Sequence, residues 1–182
     1  MLEDAGIVFE IDVPRVDEEA AKAGYRAEGM TPRDQADALA ELKALSVSRR
    51  RAGFVIGADQ MLAVDGSTFD KPKDAAEARS HLELLRGRTH ELLTAAVVAR
   101  DGAVIWRHID TPRLTMRSFT DAFLTEYLGR AGQGVLSSVG VYQLEGIGAQ
   151  LFERVEGDYF SVLGLPLLPL LAFLREHGIA RS

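Results

Sequence analysis

Six residues of this chain could do chemistry by their type: Glu18, Lys43, Asp59, Gln60, Lys71 and Glu145. Four offer oxygen donors and two offer ammonium groups. Hard oxygen donors suit Mg²⁺ or Mn²⁺, and lysines suit phosphate oxygens. Metal-assisted phosphoryl chemistry is therefore a reaction class that they could serve. Asp59 and Gln60 stand out because they follow Phe54-Val55-Ile56-Gly57-Ala58, an apolar run that reads as a buried strand. A buried strand rarely carries an acid unless a metal ion or a lysine such as Lys71 offsets its desolvation. The competing reading is a strand-end acid that faces water or caps a turn. Other chemistries lack their parts. The chain has no cysteine, so it has no thiolate nucleophile, thiolate metal site or disulfide. His81, His90, His108 and His177 are scattered without zinc-ligand spacing. Neither glycine-rich phosphate-loop motif is present, and no serine sits in a nucleophile elbow.

These residues need elements to position them. Ala5-Gly6 reads as the tail of a helix, and Ile7–Val13 as a strand that Pro14 stops. Residues 15–29 are polar, a loop or short helix, and Glu18 lies there in a stretch that reads by composition as a solvated acidic turn. Thr31-Pro32-Arg33-Asp34 is a helix start, with a capping hydroxyl, a proline at the first helical position and an acid at the positive end. That helix runs to about Arg49 with Ala36, Leu39 and Leu42 on its apolar face. Lys43 falls in the same arc, either snorkelling to water or pointing into a pocket that holds an anion. A second helix is predicted over about 74–86, closed by Gly87. Residues 92–99, 103–109 and 113–119 read as strands, with a hairpin at Asp101-Gly102. A helix follows Thr120-Asp121. Residues 132–148 are rich in glycine and serine, 150–155 form a short strand, and 167–176 a last helix. Alternating helices and strands with a central meander predict an α/β class with a mixed sheet.

The whole chain sets bounds. Its 182 residues suit one domain, and 47% apolar content allows a sizeable core. No apolar run reaches the length of a membrane span, and the first residues carry acids rather than a signal pattern. The net charge of -6 argues against binding nucleic-acid polymers or anionic membranes. It also means that an anionic ligand needs a local basic pocket or a metal ion. The lack of cysteine fits a reducing compartment, so a cytoplasmic location is expected.

In these residues the chain resembles the Maf family of nucleoside triphosphate pyrophosphatases. The resemblance rests on Ala5-Gly6-Ile7-x-Phe9-Glu10, Val16-Asp17-Glu18, Leu42-Lys43-Ala44, Ile56-Gly57-Ala58-Asp59-Gln60 and Lys71-Pro72. It continues through Leu85-x-Gly87-x-x-His90, Glu145-Gly146-x-Gly148, Glu156-Gly157-Asp158-Tyr159 and Val162-x-Gly164-Leu165-Pro166-Leu167. Each match is short, but together they run the length of the chain in order. The resemblance implies a Maf-like, ITPase-like α/β fold with flanking helices, two lobes around a central cleft, and often a homodimer. It implies hydrolysis of a nucleoside triphosphate to the monophosphate and pyrophosphate with Mg²⁺ or Mn²⁺. By the same resemblance Asp59 is the proton acceptor, and Gln60 and Glu145 bear on substrate choice. Lys43 and Lys71 lie near the phosphates, and Glu18 joins Asp59 in holding the metal. Tyr142-Gln143-Leu144-Glu145-Gly146 stands where dTTP- and UTP-hydrolysing members tend to read Tyr-Gly-Ile-Gln-Gly. It resembles the 7-methyl-GTP subgroup, in which a carboxylate can accept from a guanine N–H edge.

Two departures qualify these expectations. The family opens with a strand and a Ser-x-Ser-x-Arg phosphate loop, whereas this sequence starts at Met1-Leu2-Glu3-Asp4-Ala5, after that loop. One Maf-like domain over residues 1–182 is expected, without that strand and loop, and the chain as given is expected to be weak or inactive. Ala95 also stands where the family usually has glycine after the threonine. A nucleotide-binding regulatory protein linked to cell division, acting without turnover, is the alternative to the enzyme. An inactive truncated paralogue is the third reading.

Overall fold

Residues 1–181 are described by the computed structural model. Among the described residues, six α-helices, two short 3-10 helices and six strands are interspersed along the chain, an α/β arrangement. Helices α1 (Glu18–Ala27) and α2 (Pro32–Ser48) precede β1 (Phe54–Val64) and β2 (Ser67–Phe69). Then come α3 (Ala75–Leu85), β3 (Thr89–Arg100), β4 (Ala103–Asp110), β5 (Arg113–Met116) and α4 (Asp121–Ala131). The chain closes with β6 (Phe152–Glu156), α5 (Tyr159–Val162) and α6 (Leu167–Glu176). The strands join in the order β2-β1-β3-β5-β6, and β4 pairs with β3 off that path. The four pairs with a described register are all antiparallel. The parallel component expected of a mixed sheet is not among them.

The chain forms two compact units. One comprises Met1–Gln60, Thr94–Asp110 and Asp158–Ser182, and the other Met61–Leu93 and Thr111–Gly157. In the first unit the core gathers Ala96 and Val98 of β3 with Leu167, Leu170, Phe173 and Leu174 of α6, and Phe54, Ile56 and Ala58 of β1 pack against it. Gly57 faces the other way, onto α2. A Cβ built on it would overlap the Ala40 carbonyl and the Ala44 amide. Period-two alternation thus sends Ile56 and Ala58 to the α6 face and Gly57 to the α2 face. Glycine is required at 57 because the helix backbone presses on the strand.

In the second unit Leu82, Leu85, Leu92, Leu114, Met116, Leu124 and Leu151 are buried. His90 and Tyr142 are buried with them, His90 Nε2 lying 2.8 Å from the Tyr142 hydroxyl. Burial lowers the His90 pKa to about 4, because the charged imidazolium would be desolvated.

Several elements depart from the sequence-based expectation. Ile7–Val13 is not a strand. Val8 is 96% exposed and Ile11 88%, and Asp12 is instead gripped by Arg50 and Arg51, with Arg50 also donating to the Val13 carbonyl. β-branched residues supply the propensity, but a strand needs a ladder partner, and among the described residues none pairs here. The 15–29 stretch, a loop or short helix by composition, forms α1, with Asp17 capping it by accepting from the Ala20 amide. Residues 113–119 stop being a strand at Met116, where the register shifts and Arg117 N donates instead to the Leu151 carbonyl. Ser67, read as part of a turn, begins the short strand β2. Among the described residues no helix is long and apolar enough to cross a membrane.

Candidate functional site

Three of the six chemically capable residues meet within the first unit. Lys43 Nζ lies 2.7 Å from Asp59 Oδ1 and 3.1 Å from Glu18 Oε2. Each comes from a different element, and each is placed for a local reason. Glu18 begins α1, where the capped first turn favours a carboxylate. Lys43 lies one residue before Ala44, and the bare Gly57 lets that part of α2 sit against β1. Asp59, two residues beyond Gly57, shares its face of the strand and therefore points toward the same helix. The spacing Gly57-x-Asp59 is thus one construction: glycine admits the helix, and the acid meets its lysine.

Shielding sets the electrostatics. The Asp59 side chain is 11% exposed, Lys43 19% and Glu18 39%. Burial raises the Asp59 pKa above the ordinary carboxylate value, and the hydrogen bond and charge of Lys43 counter that only in part. For Lys43 burial works against the ammonium, but Asp59 and Glu18 outweigh it and the pKa rises. The cluster is an ammonium held between two carboxylates, with the more buried one made more basic than a surface aspartate. Such a carboxylate can take a proton from water, and the ammonium can neutralise charge on a bound anion.

Gln60 is placed apart from this cluster. It belongs with Ile56 and Ala58 by strand parity, and its amide points away from Asp59. Nε2 donates to Thr94 Oγ1 at 2.8 Å and to the Ser161 carbonyl at 2.9 Å, with the Val162 carbonyl 3.3 Å away. Ser161, which completes this network, was not singled out in the sequence, and Thr94 entered only as the threonine before Ala95. Only the alternation of the strand hinted that Asp59 and Gln60 would diverge.

Lys71 and Glu145 belong to the second unit, and both are exposed. Lys71 precedes buried Pro72 in the link from β2 to α3. Glu145 sits in a tight loop in which the Gly146 amide donates to the Gln143 carbonyl, and a Cβ on Gly148 would strike the Gln143 backbone. Gly148 is therefore explained by the close approach of the Gln143 backbone, and Glu145 is left exposed in the loop.

Among the described residues no group of three or more His, Asp or Glu could hold a metal ion. Glu18 and Asp59 nevertheless offer two hard oxygen donors that flank the Lys43 ammonium. Mg²⁺ commonly takes one or two carboxylates and completes its shell with water and substrate phosphates, so this donor set fits the ion.

Fold and site together define an α/β protein carrying a shielded acid–lysine–acid cluster, with Asp59 in the middle of β1 and not at the strand end that would have let it face water or cap a turn. A family model described as Maf-like protein matches residues 1–177, and the chain belongs to the Maf family. It is 56% identical over 178 residues to a nucleoside triphosphate pyrophosphatase of Caulobacter vibrioides, covering 98% of this chain and 89% of that one. It is 54% identical over 184 residues to a protein of the same name from Rhodospirillum rubrum, covering 100% and 91%. A 7-methyl-GTP pyrophosphatase of Rhizobium etli is 49% identical over 179 residues, covering 98% and 90%.

Proposed function

We propose that the protein is a nucleoside triphosphate pyrophosphatase and that its substrate is 7-methyl-GTP. The observation that carries the hydrolytic reading is the Lys43–Asp59 contact of 2.7 Å, with Glu18 on the other side of the same ammonium. Family membership and the names of its relatives support the reaction, and one of the named relatives carries the 7-methyl-GTP name. In the reaction a water oxygen bonds to the α-phosphorus while the bridge to the β-phosphate breaks. The monophosphate and pyrophosphate are the products.

Asp59 accepts the proton of the attacking water. Its Oδ1 is engaged by Lys43, so Oδ2 is the oxygen that takes it. Burial makes that carboxylate a stronger base than an exposed one. Lys43 holds Asp59 in place and neutralises charge that develops on the phosphates. Glu18 and Asp59 would hold a divalent ion, which supplies further neutralisation when bound. Lys71 serves as a second phosphate contact, and Glu145 accepts from the base edge. The protein acts in this reading on a free nucleotide, as a homodimer, in the cytoplasm.

The test is pyrophosphate release from 7-methyl-GTP, dTTP and UTP with Mg²⁺ or Mn²⁺. Release with 7-methyl-GTP preferred is the expected result. Release with dTTP preferred refutes the substrate and keeps the reaction. Nucleotide binding without any release overturns the reaction in favour of a regulatory binder.

A further inference from the structure

Among the described residues, three other than glycine hold a positive φ: Asp65, Asp101 and Val141. The two aspartates precede Gly66 and Gly102 in the tight turns of the β1–β2 and β3–β4 hairpins, where an Asp-Gly pair suits the left-handed conformation. Val141 has no such reason. Its φ is 60°, and its branched Cβ makes that region costly. A conformation of this kind persists only where the surroundings over-determine it, and such residues cluster at ligand sites.

The surroundings that hold Val141 can be named. Tyr127 of α4 is buried, and its hydroxyl donates to the Val141 carbonyl at 2.8 Å. Burial pushes the Tyr127 pKa up to about 12, so the phenol keeps the proton that makes this bond. The Val141 amide donates to the Ser138 carbonyl at 3.1 Å, and the Val141 side chain is fully buried. On the next residue, the Tyr142 hydroxyl lies 2.8 Å from His90 Nε2, and the Tyr142 ring lies where a Cβ on Gly140 would stand. Directly after this clamp comes the loop that carries Glu145. Gln143 is its base: the Gln143 carbonyl accepts from the Gly146 amide at 3.2 Å, and Gly148 presses on the Gln143 backbone. The loop therefore closes on a residue whose place is set by Val141 and Tyr142. A peptide that relaxed at Val141 would turn the base of the loop and carry Glu145 with it.

We propose that Tyr127 and Val141 are positioning residues for Glu145: the Tyr127 hydroxyl holds a strained peptide that aims the Glu145 loop and so sets the choice of base. Without that hydroxyl, Val141 gains by leaving the left-handed region, so the loop is re-aimed rather than merely loosened. The proposal rests on the reading of Glu145 as the group that meets the base, but the bonds that it invokes do not.

The test starts from Tyr127→Phe, which removes one oxygen and keeps the ring that stacks on Phe123. The ratio of kcat/KM for 7-methyl-GTP over dTTP should fall about threefold to tenfold, through a raised KM for 7-methyl-GTP, with kcat within about twofold of wild type. Adding Val141→Gly removes the strain, because glycine accepts a positive φ, and should recover most of the lost ratio. Merely structural losses would compound instead, so a ratio no better in the double variant overturns the proposal, as does an unchanged ratio in Tyr127→Phe. In a Glu145→Gln background Tyr127→Phe should change the ratio no further, and a second fall of full size overturns action through Glu145. Backbone amide exchange over residues 141–149, read by mass spectrometry on folded protein, needs no turnover. It should speed up in Tyr127→Phe and return toward the wild-type rate in the double variant, and equal exchange in Tyr127→Phe and wild type overturns the clamp. If the wild type shows no preference for 7-methyl-GTP, the reading of Glu145 fails and the claim on base choice falls with it. The exchange measurement then still decides whether Tyr127 holds Val141.

Discussion

Lys43 Nζ sits 2.7 Å from Asp59 Oδ1, joining a helix and a strand that approach closely because residue 57 has no side chain. The contact explains how an acid can be shielded in the middle of a strand: its charge is met by an ammonium that a second acid, Glu18, also holds. Asp59→Asn keeps the shape and removes the base, so kcat should fall at least about a hundredfold with the fold retained. Lys43→Ala should lower kcat and also raise KM, since the lysine both holds Asp59 and meets phosphate. The double variant should lose much less than the product of the single losses, because both act at one point. Steady-state pyrophosphate release checks all three, and normal turnover in Asp59→Asn would remove it as the base.

Gly57 yields a prediction about packing. Gly57→Ala places a methyl where the Ala40 carbonyl and Ala44 amide already lie, so α2 must move or the strand must bend. Overpacking of this kind costs on the order of 1–3 kcal/mol. Thermal denaturation should show a lower Tm, and kcat should drop as Lys43 is carried away from Asp59. An unchanged Tm would mean that α2 can shift freely there.

His90 makes stability depend on pH. Its pKa is lowered from 6.5 to about 4 by burial, so the unfolded state binds the proton more tightly than the native one. The contribution is fully present above pH 6.5 and is lost progressively as pH falls toward about 4, reaching about 3 kcal/mol from this one group. Urea midpoints measured between pH 7 and 4 should fall across that window. His90→Gln should flatten the fall, and an equally steep fall in that variant would assign the acid sensitivity to other groups.

Glu145 is exposed in a loop whose Gly148 is fixed by packing against the Gln143 backbone. Glu145→Gln exchanges an acceptor-only group for one that also donates, and a mismatched hydrogen bond costs on the order of 1–3 kcal/mol. The preference for 7-methyl-GTP over dTTP and UTP should shrink by about tenfold, read as the ratio of kcat/KM values. An unchanged ratio would detach Glu145 from base choice.

Much of the protein was legible in its residues. Thr31-Pro32-Arg33-Asp34 determined the start of α2, because cap, proline and acid each act within one turn. The β-branched run 54–58 determined β1, and Asp101-Gly102 determined the β3–β4 hairpin, for equally local reasons. Asp59 could be singled out as an acid misplaced in a greasy strand. Local chemistry could not decide which cation would meet it. A metal ion or a lysine near in sequence such as Lys71 was the expected partner, yet Lys43 on α2 meets it within its own unit. The solvated acid Glu18 became the third member of that cluster by the docking of α1 near α2. Neighbourhood in the chain also misled at Asp59-Gln60, since two adjacent strand residues look to opposite faces and only the packed layers say what each meets. Ile7–Val13 shows the same limit from the other side. Its composition favours a strand, but a strand exists only when a second one supplies the ladder, and that is settled by tertiary pairing.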